Sequence, residues 1–175
     1  MMNRRTAVLG TVAGLATVVA STGVALAAND PAPASAKKSP ITQSTQVLTI
    51  DAASRAASKA LEAAAKGGHR VTVVVMDRSG VVRVTLHGDG AGPQTDESAK
   101  RKAFTAVSFG QPTSALVARA GGTNPSVRDI PGTLFLAGGV PVTVDGVAVA
   151  AIGVGGAPSG DLDEKYAQAG VDALR

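Results

Sequence analysis

The strongest structural signal in the chain is the stretch Gly138-Gly-Val-Pro-Val-Thr-Val-Asp-Gly-Val-Ala-Val-Ala-Ala-Ile-Gly-Val-Gly-Gly156. Two apolar, β-branched runs flank Asp145-Gly146. This pair favours a hairpin, because both central residues of a type I′ turn need positive φ. Glycines interrupt the second run, which indicates a bulge or the close approach of another backbone or a ligand. The stretch therefore predicts two antiparallel strands.

The N-terminus has the pattern of a secretory signal peptide over residues 1–28. Arg4-Arg5 forms a basic segment, residues 7–19 are apolar and small, and Ala25-Leu26-Ala27 fits a cleavage site. The apolar part is too short and too interrupted to favour a retained membrane anchor. The paired arginines leave two export routes open, the general one and the twin-arginine one. We expect a secreted, extracellular protein.

The remaining chain divides into a tether and one domain. Residues 29–46 are rich in Pro, Ala, Ser and Lys and predict a disordered tether, whereas residues 47–175 are long enough for one domain with a real core. The sequence has no cysteine and no Trp, which excludes disulfides, thiolate metal sites and a cysteine nucleophile. The net charge of +4 falls by two with Arg4 and Arg5, so nothing indicates nucleic-acid binding.

The domain has helical and strand patterns in the order α-β-β-α-α-β-β-β-α, with helices and strands segregated and not alternating. Tight hairpins make the sheet largely antiparallel, and the segregation of helices from strands predicts an α+β class. The predicted helices cover 50–66, capped by Thr49, then 95–109, then 114–119, capped by Thr113, and 161–174. The predicted strands cover 70–76, 81–87 and 133–137, followed by the hairpin.

Four segments together resemble the GlcG/HbpS family of haem-binding proteins, especially its extracellular actinobacterial members. They are Leu48-Thr-Ile-Asp-Ala-Ala-Ser-Arg-Ala-Ala, Val73-Val-Val-Met-Asp-Arg-Ser-Gly80, Ser98-Ala-Lys-Arg-Lys-Ala-Phe-Thr-Ala106 with Gln111-Pro-Thr113, and the hairpin followed by Asp163-Glu-Lys-Tyr-Ala-Gln-Ala-Gly170. No single segment is specific, but their order is. The resemblance implies a profilin-like antiparallel sheet of about five strands wrapped by helices.

The resemblance also implies haem binding and, in some members, iron or corrinoid binding. It implies homo-oligomers, commonly octamers. In exported members it implies partnership with a membrane sensor kinase, that is, two-component signalling linked to oxidative stress. The small-residue helix over 52–65 independently favours close packing against a neighbouring subunit, because a secreted domain without disulfides gains stability from such burial.

Histidines are the first candidates for a haem ligand. His69 lies between a helix end and a strand, where a solvated histidine or one that pairs with the helix dipole is the first explanation and ligation the second. His87 ends a strand before a glycine-rich loop, where a polar residue is ordinary, but it remains a candidate. The sequence has no C-x-x-C-H motif, so covalent haem attachment is excluded.

Thr113 is the favoured iron ligand, because the resemblance implies that the Pro-Thr turn lies at the haem surface. A threonine oxygen is a weak, hard ligand, suited to a sensor or scavenger that holds ferric haem loosely. The alternative is an ordinary helix cap. Lys102, which matches the family's lysine, together with Lys100 and Arg119, could donate to haem propionates, although a solvated helix face explains them equally well.

The acidic residues Asp161, Asp163 and Glu164 are explained first by the helix dipole, with a weak iron site at Asp161 and Glu164 as the alternative. No catalytic constellation appears in the sequence. We therefore predict a secreted haem or iron scavenger or sensor, accessory to a sensor kinase. The alternatives are a corrinoid-handling or small oxidoreductase enzyme, and a structural interaction module.

Overall fold

The chain folds as an antiparallel sheet between helices. The structure, a computed structural model, describes residues 41–122 and 126–175, and the predicted signal peptide and most of the tether lie outside them. Residues from Gln43 to Arg175 form one compact unit. The elements of this unit are α1 (Ile50–Lys66), β1 (Thr72–Asp77), β2 (Val82–His87), α2 (Gln94–Phe109), α3 (Thr113–Leu116), the 3-10 turns Val117–Ala120 and Val127–Asp129, β3 (Gly139–Val144), β4 (Val147–Gly155) and α4 (Gly160–Asp172).

The sheet has the strand order β2-β1-β4-β3, and every neighbouring pair is antiparallel. The predicted hairpin is confirmed as β3–β4. Its two turn residues, Asp145 and Gly146, have φ values of 50° and 77°, as a type I′ turn requires. The α+β class predicted from the sequence is therefore confirmed.

The predicted strand at 133–137 is wrong, so the described part of the chain has four strands rather than about five. Its backbone bonds to helical and turn groups instead of to a strand. The Leu134 amide donates to Thr105 Oγ1 at 2.8 Å, and the Thr133 amide donates to the Ile130 carbonyl at 3.3 Å. The apolar residues of this segment pack beside α2 without joining the sheet.

Helices cover both faces of the sheet. Val73, Val75 and Ile152 belong to the larger core, which they share with α1 and α4. Val74 and Met76 point to the opposite face and pack with the alanines of α2. This arrangement follows from the alternation of side chains along β1, whose six residues are all buried.

The alanine stripe of α1 packs within the domain, against α4. Ala53, Ala56, Ala57, Ala60 and Ala64 are completely buried in the core shared with α4. At Gly170 of α4, a β-carbon would lie 2.7 Å from the Ala56 carbonyl oxygen, so the two helices are in backbone contact. This stripe therefore gives no separate support for oligomerisation, which stays a prediction from the resemblance.

No helix within the described residues is long and apolar enough to cross a membrane.

Candidate functional site

The predicted site residues Lys102 and Thr113 approach the same point of the backbone, the Gly138-Gly139 dipeptide. Gly139 N donates to Thr113 Oγ1 at 2.9 Å. Gly138 has φ +130°, and a β-carbon there would lie 2.8 Å from Lys102 Nζ. Glycine is needed at this position because of both the backbone conformation and the approaching amine. We call these residues, with Glu164 and Asp163, the Gly138 junction.

Lys102 forms a buried ion pair at one side of the junction. Its Nζ donates to Asp163 Oδ2 at 2.6 Å and to the Val154 carbonyl at 3.1 Å, and both charged side chains are only 4% exposed. Burial, which disfavours the charged carboxylate, raises the pKa of Asp163 despite the opposing effect of Lys102. The amine is thus held by protein acceptors and is not displayed on a helix surface for a propionate.

Glu164 organises the other side of the junction. Its carboxylate accepts from Gly138 N and from Ser114 N, each at 3.1 Å, and from the Ser114 hydroxyl at 2.5 Å. Thr113 Oγ1, which is buried, lies 3.5 Å from the same carboxylate. The prediction that Thr113 caps its helix is wrong. Pro112 occupies the cap position, no cap-residue side chain accepts there, and the carboxylate of Glu164 takes that role from α4.

The three acidic residues at the start of α4 have different environments. Asp163 is buried against Lys102, Glu164 serves α3 and Gly138, and Asp161 is exposed. Within residues 41–122 and 126–175, no three His, Asp or Glu side chains form a group able to hold a metal ion. The geometry therefore lends no support to the weak iron site at Asp161 and Glu164.

His87 lies away from the junction, and both of its ring nitrogens have protein partners. Nδ1 is 3.0 Å from Asp96 Oδ1 and 3.0 Å from Thr72 Oγ1, while Nε2 is 3.1 Å from the Ala91 carbonyl. The hydrogen bond to Asp96 is the main cause of a raised His87 pKa. Because both ring nitrogens are engaged by protein groups, His87 could ligate iron only by giving up one of these contacts. His69 is occupied in part as well, since its Nδ1 lies 2.6 Å from the Tyr166 hydroxyl.

Arg119 stands over an aromatic pair beyond α3. Its guanidinium carbon is 5.5 Å from the centre of the Phe109 ring, and this ring meets Phe135 edge to face at 5.6 Å. Val117, two residues before Arg119, is an exposed apolar residue. We call Phe109, Val117, Arg119 and Phe135 the Arg119 surface. It combines apolar area with a cation at its edge.

The structure thus groups three of the predicted residues, Lys102, Thr113 and Glu164, at one junction and leaves His87, Arg119 and Asp161 outside it. Thr113 and Lys102 meet at Gly138-Gly139, whereas His87 and Arg119 lie in separate clusters. The sequence analysis missed the pairing of Lys102 with Asp163, which are 61 residues apart, and the role of Ser114. The one signal in the sequence that could have indicated the ion pair is that Lys102 and Asp163 each lie on an otherwise apolar face of their helix.

Comparison with known proteins identifies the family. The family model described as "Haem degrading protein HbpS-like" matches residues 48–172. A crystal structure of a double mutant of HbpS from Streptomyces reticuli is 58% identical, covers 82% of this chain and 97% of its own, and has a TM-score of 0.73. A further HbpS crystal structure is 59% identical, covers 81% of this chain and 99% of its own, and has a TM-score of 0.74.

A more distant structure shows the same fold. The PduOC–haem complex is 23% identical, covers 73% of this chain and 95% of its own, and has a TM-score of 0.67. No curated protein matches the sequence. The family match extends from just before α1 to the end of α4. The chain therefore belongs to the HbpS-like family of haem degrading proteins.

Proposed function

We propose that this protein binds haem outside the cell, as a scavenger or sensor, and reports to a membrane sensor kinase. The family description concerns haem, and a protein of the same fold forms a haem complex. Export is supported by the signal-peptide pattern of residues 1–28. The kinase partnership rests on the resemblance to exported members of the family.

The Arg119 surface is the observation that carries the haem proposal. A porphyrin has a broad apolar face and two carboxylates on one edge. The half-buried Phe109 ring, backed by Phe135, and the exposed Val117 suit the face, and the Arg119 guanidinium suits a propionate. These residues fit the porphyrin body, whose bound iron would supply the redox and ligand-binding chemistry.

The axial ligand of the haem iron would come from a different part of the protein, the start of α3. Thr113 could reach a haem iron only if its hydroxyl gave up the hydrogen bond from Gly139 N, because the side chain is completely buried. The exposed Ser114 hydroxyl, next along the chain, already donates to Glu164. Either oxygen is a weak ligand for ferric iron, so ring packing and the propionate contact would supply most of the affinity.

A hemin titration of the chain from Asn29 to Arg175 tests the proposal. We expect a saturable shift of the Soret band at micromolar protein, weakened in Arg119→Ala by roughly tenfold, as for the loss of a charge-assisted hydrogen bond. Arg78→Ala removes another exposed arginine, outside the Arg119 surface, and serves as the control. The absence of a saturable shift would refute haem binding. Equal weakening in both variants would refute the Arg119 surface.

The axial ligand is tested by two further variants in the same assay. Thr113→Ala should weaken hemin binding or alter its spectrum while the fold is retained. His87→Ala should leave the spectrum unchanged, because both nitrogens of His87 already have partners. Loss of the Soret shift in His87→Ala alone would instead make His87 the ligand.

Export and signalling need separate measurements. Mass spectrometry of the protein from culture medium should find a chain beginning at residue 28 or 29. A binding assay between this protein and the sensor kinase ectodomain should respond to hemin. Kinase binding that is indifferent to hemin would favour a structural interaction module, and turnover with haem or a corrinoid would favour an enzyme.

A further inference from the structure

A cavity of about 430 Å³ opens beside the Lys102–Asp163 ion pair. Its walls come from the first turns of α2 and from the loop that leads into α4. Lys102 and Asp163 lie on its floor, so two charged side chains that are 4% exposed border the open space. A cavity of this size accommodates a small organic molecule.

The buried amine has unused hydrogen-bonding capacity. A lysine ammonium carries three N–H groups. Within the described residues, Lys102 Nζ has two acceptors, Asp163 Oδ2 and the Val154 carbonyl. The amine thus retains a third N–H, and Lys102 is one of the residues that line the cavity. A pair of buried charges is also seldom kept for stability alone, since apolar residues of similar volume serve as well or better.

Further donors line the same space. Ser98, which is half-buried, lines the cavity on α2, and its hydroxyl has no hydrogen-bond partner among the described residues. Gly160 and Asp161 open α4, where the first amide N–H groups lack partners within the helix. The helix start adds to the site, but the cavity and the buried amine carry the argument.

The charges and the wall chemistry together define the ligand. Asp163 is neutralised by Lys102, while the exposed Asp161 places one negative charge at the rim. Leu136, Ala157 and Pro158 make part of the wall apolar. The unused N–H of Lys102 and the hydroxyl of Ser98 can both donate to one carboxylate, and a short apolar body suits the apolar part of the wall. Asp161 weakens the binding of any anion, and that of a doubly charged anion more than that of a singly charged one.

We propose that this cavity binds a small organic monocarboxylate, whose carboxylate accepts from Lys102 and Ser98 and whose apolar part lies along Leu136 and Ala157. The site is separate from the Arg119 surface and does not depend on haem binding.

A titration with butyrate tests the proposal, followed by the amide signals of Ser98, Gly160 and Asp161 in two-dimensional NMR spectra of the chain from Asn29 to Arg175. We expect saturable shifts with a millimolar Kd, as for a ligand of few atoms. Butyramide has the same shape without the charge and should bind at least tenfold more weakly. Inorganic phosphate should cause no saturable shift at these amides.

Variants then separate the roles of the groups. Ser98→Ala should weaken butyrate binding roughly 3- to 10-fold, the range for one hydrogen bond. Asp161→Asn should strengthen it by a few fold, because a repelling charge is removed. The paired change Lys102→Met with Asp163→Leu replaces both charges by apolar groups and should abolish binding in a folded protein. Ser58→Ala, on an exposed position of α1, should change nothing.

Several results would overturn the proposal. These are the absence of saturation with butyrate, equal binding of butyramide, binding of phosphate in preference to butyrate, or unchanged binding in the paired Lys102 and Asp163 variant. The hemin titration gives an independent readout, so failure here leaves the haem proposal standing, and the reverse also holds.

Discussion

Lys102 Nζ lies 2.6 Å from Asp163 Oδ2, and this contact joins α2 to α4 although the two helices pack on opposite faces of the sheet. The carboxylate is held further by the Ala157 amide, which donates to Oδ1 at 2.9 Å. Each charge therefore depends on the other for compensation within a buried environment.

Replacing one partner of this pair should lower the stability of the protein strongly, whereas replacing both should change it little. Lys102→Met leaves Asp163 unpaired and should lower the free energy of unfolding by about 3–5 kcal/mol. Asp163→Leu should have a similar effect, whereas the double variant should lie within about 1–2 kcal/mol of the parent chain. Urea unfolding followed by circular dichroism measures all three. A double variant as unstable as the sum of the singles would show that the charges act independently.

Among the acidic residues of α4, Glu164 should contribute most to the stability of the protein through its contacts with α3. Glu164→Ala removes the acceptor of Ser114 N and Gly138 N and leaves these groups without their present partner, so we expect a loss of about 2–3 kcal/mol. Thermal unfolding gives the value.

The matched control for Glu164 is Asp161, one turn earlier on the same helix. Its side chain is exposed and makes no hydrogen bond within the described residues, so Asp161→Asn should change the stability by less than about 1 kcal/mol. An equal loss in both variants would mean that charge at the helix start, and not the contacts of Glu164, is responsible.

The hairpin and the helices could be predicted because their signals are local. Asp145-Gly146 requires a turn with positive φ, and α1 begins at Ile50 and ends at Lys66, as its Thr49 cap and the following glycines indicate. The strand predicted at 133–137 failed for a non-local reason. Its apolar composition suits a strand, but the Leu134 amide finds the hydroxyl of Thr105 on α2 instead of a neighbouring strand.

The contacts of the Gly138 junction could not be predicted from the sequence either, because they too are non-local. The sequence singled out Thr113 and Lys102 only through the resemblance, and no pattern shows that Gly138-Gly139 runs between them. Lys102 and Glu164 both suit a solvated helix face by composition. Only the packing of α2 and α4 against the hairpin decides that Lys102 is buried and that Glu164 binds a different helix.

The His87–Asp96 pair should make the stability depend on pH in a defined window. Asp96 raises the pKa of His87 above its usual 6.5, so this contribution is fully present below pH 6.5 and is lost as the pH rises through the folded value. His87 lowers the pKa of Asp96 below its usual 3.8, so that contribution is present above pH 3.8 and is lost as the pH falls. Stabilisation is therefore largest between these two values.

An NMR titration of His87 measures the first part of this prediction. Asp96→Asn should lower the His87 pKa, and the stability difference between parent and variant should be larger at pH 5.5 than at pH 8.5. Both side chains are about half exposed, so high salt should reduce the effect. A His87 pKa that is the same in parent and variant would show that the pair does not form in solution.

Gly153 in β4 should tolerate no side chain, because α2 lies against the strand at this point. A β-carbon there would overlap the Ala99 carbonyl oxygen and lie 2.5 Å from Ala103 N, and the obstacles are backbone atoms that cannot rotate away. We expect Gly153→Ala to lose at least about 3 kcal/mol of stability, as for severe overpacking in a core, or to prevent folding.

Gly121→Ala is the control. A β-carbon there meets only the Ala118 carbonyl at 3.5 Å, and the backbone φ is −73°, so the change should be nearly neutral. Thermal unfolding and soluble yield compare the two variants. A stable, well-folded Gly153→Ala protein would mean that α2 can move away from β4, and the close packing that places Lys102 beside Gly138 would then not be a rigid feature of the fold.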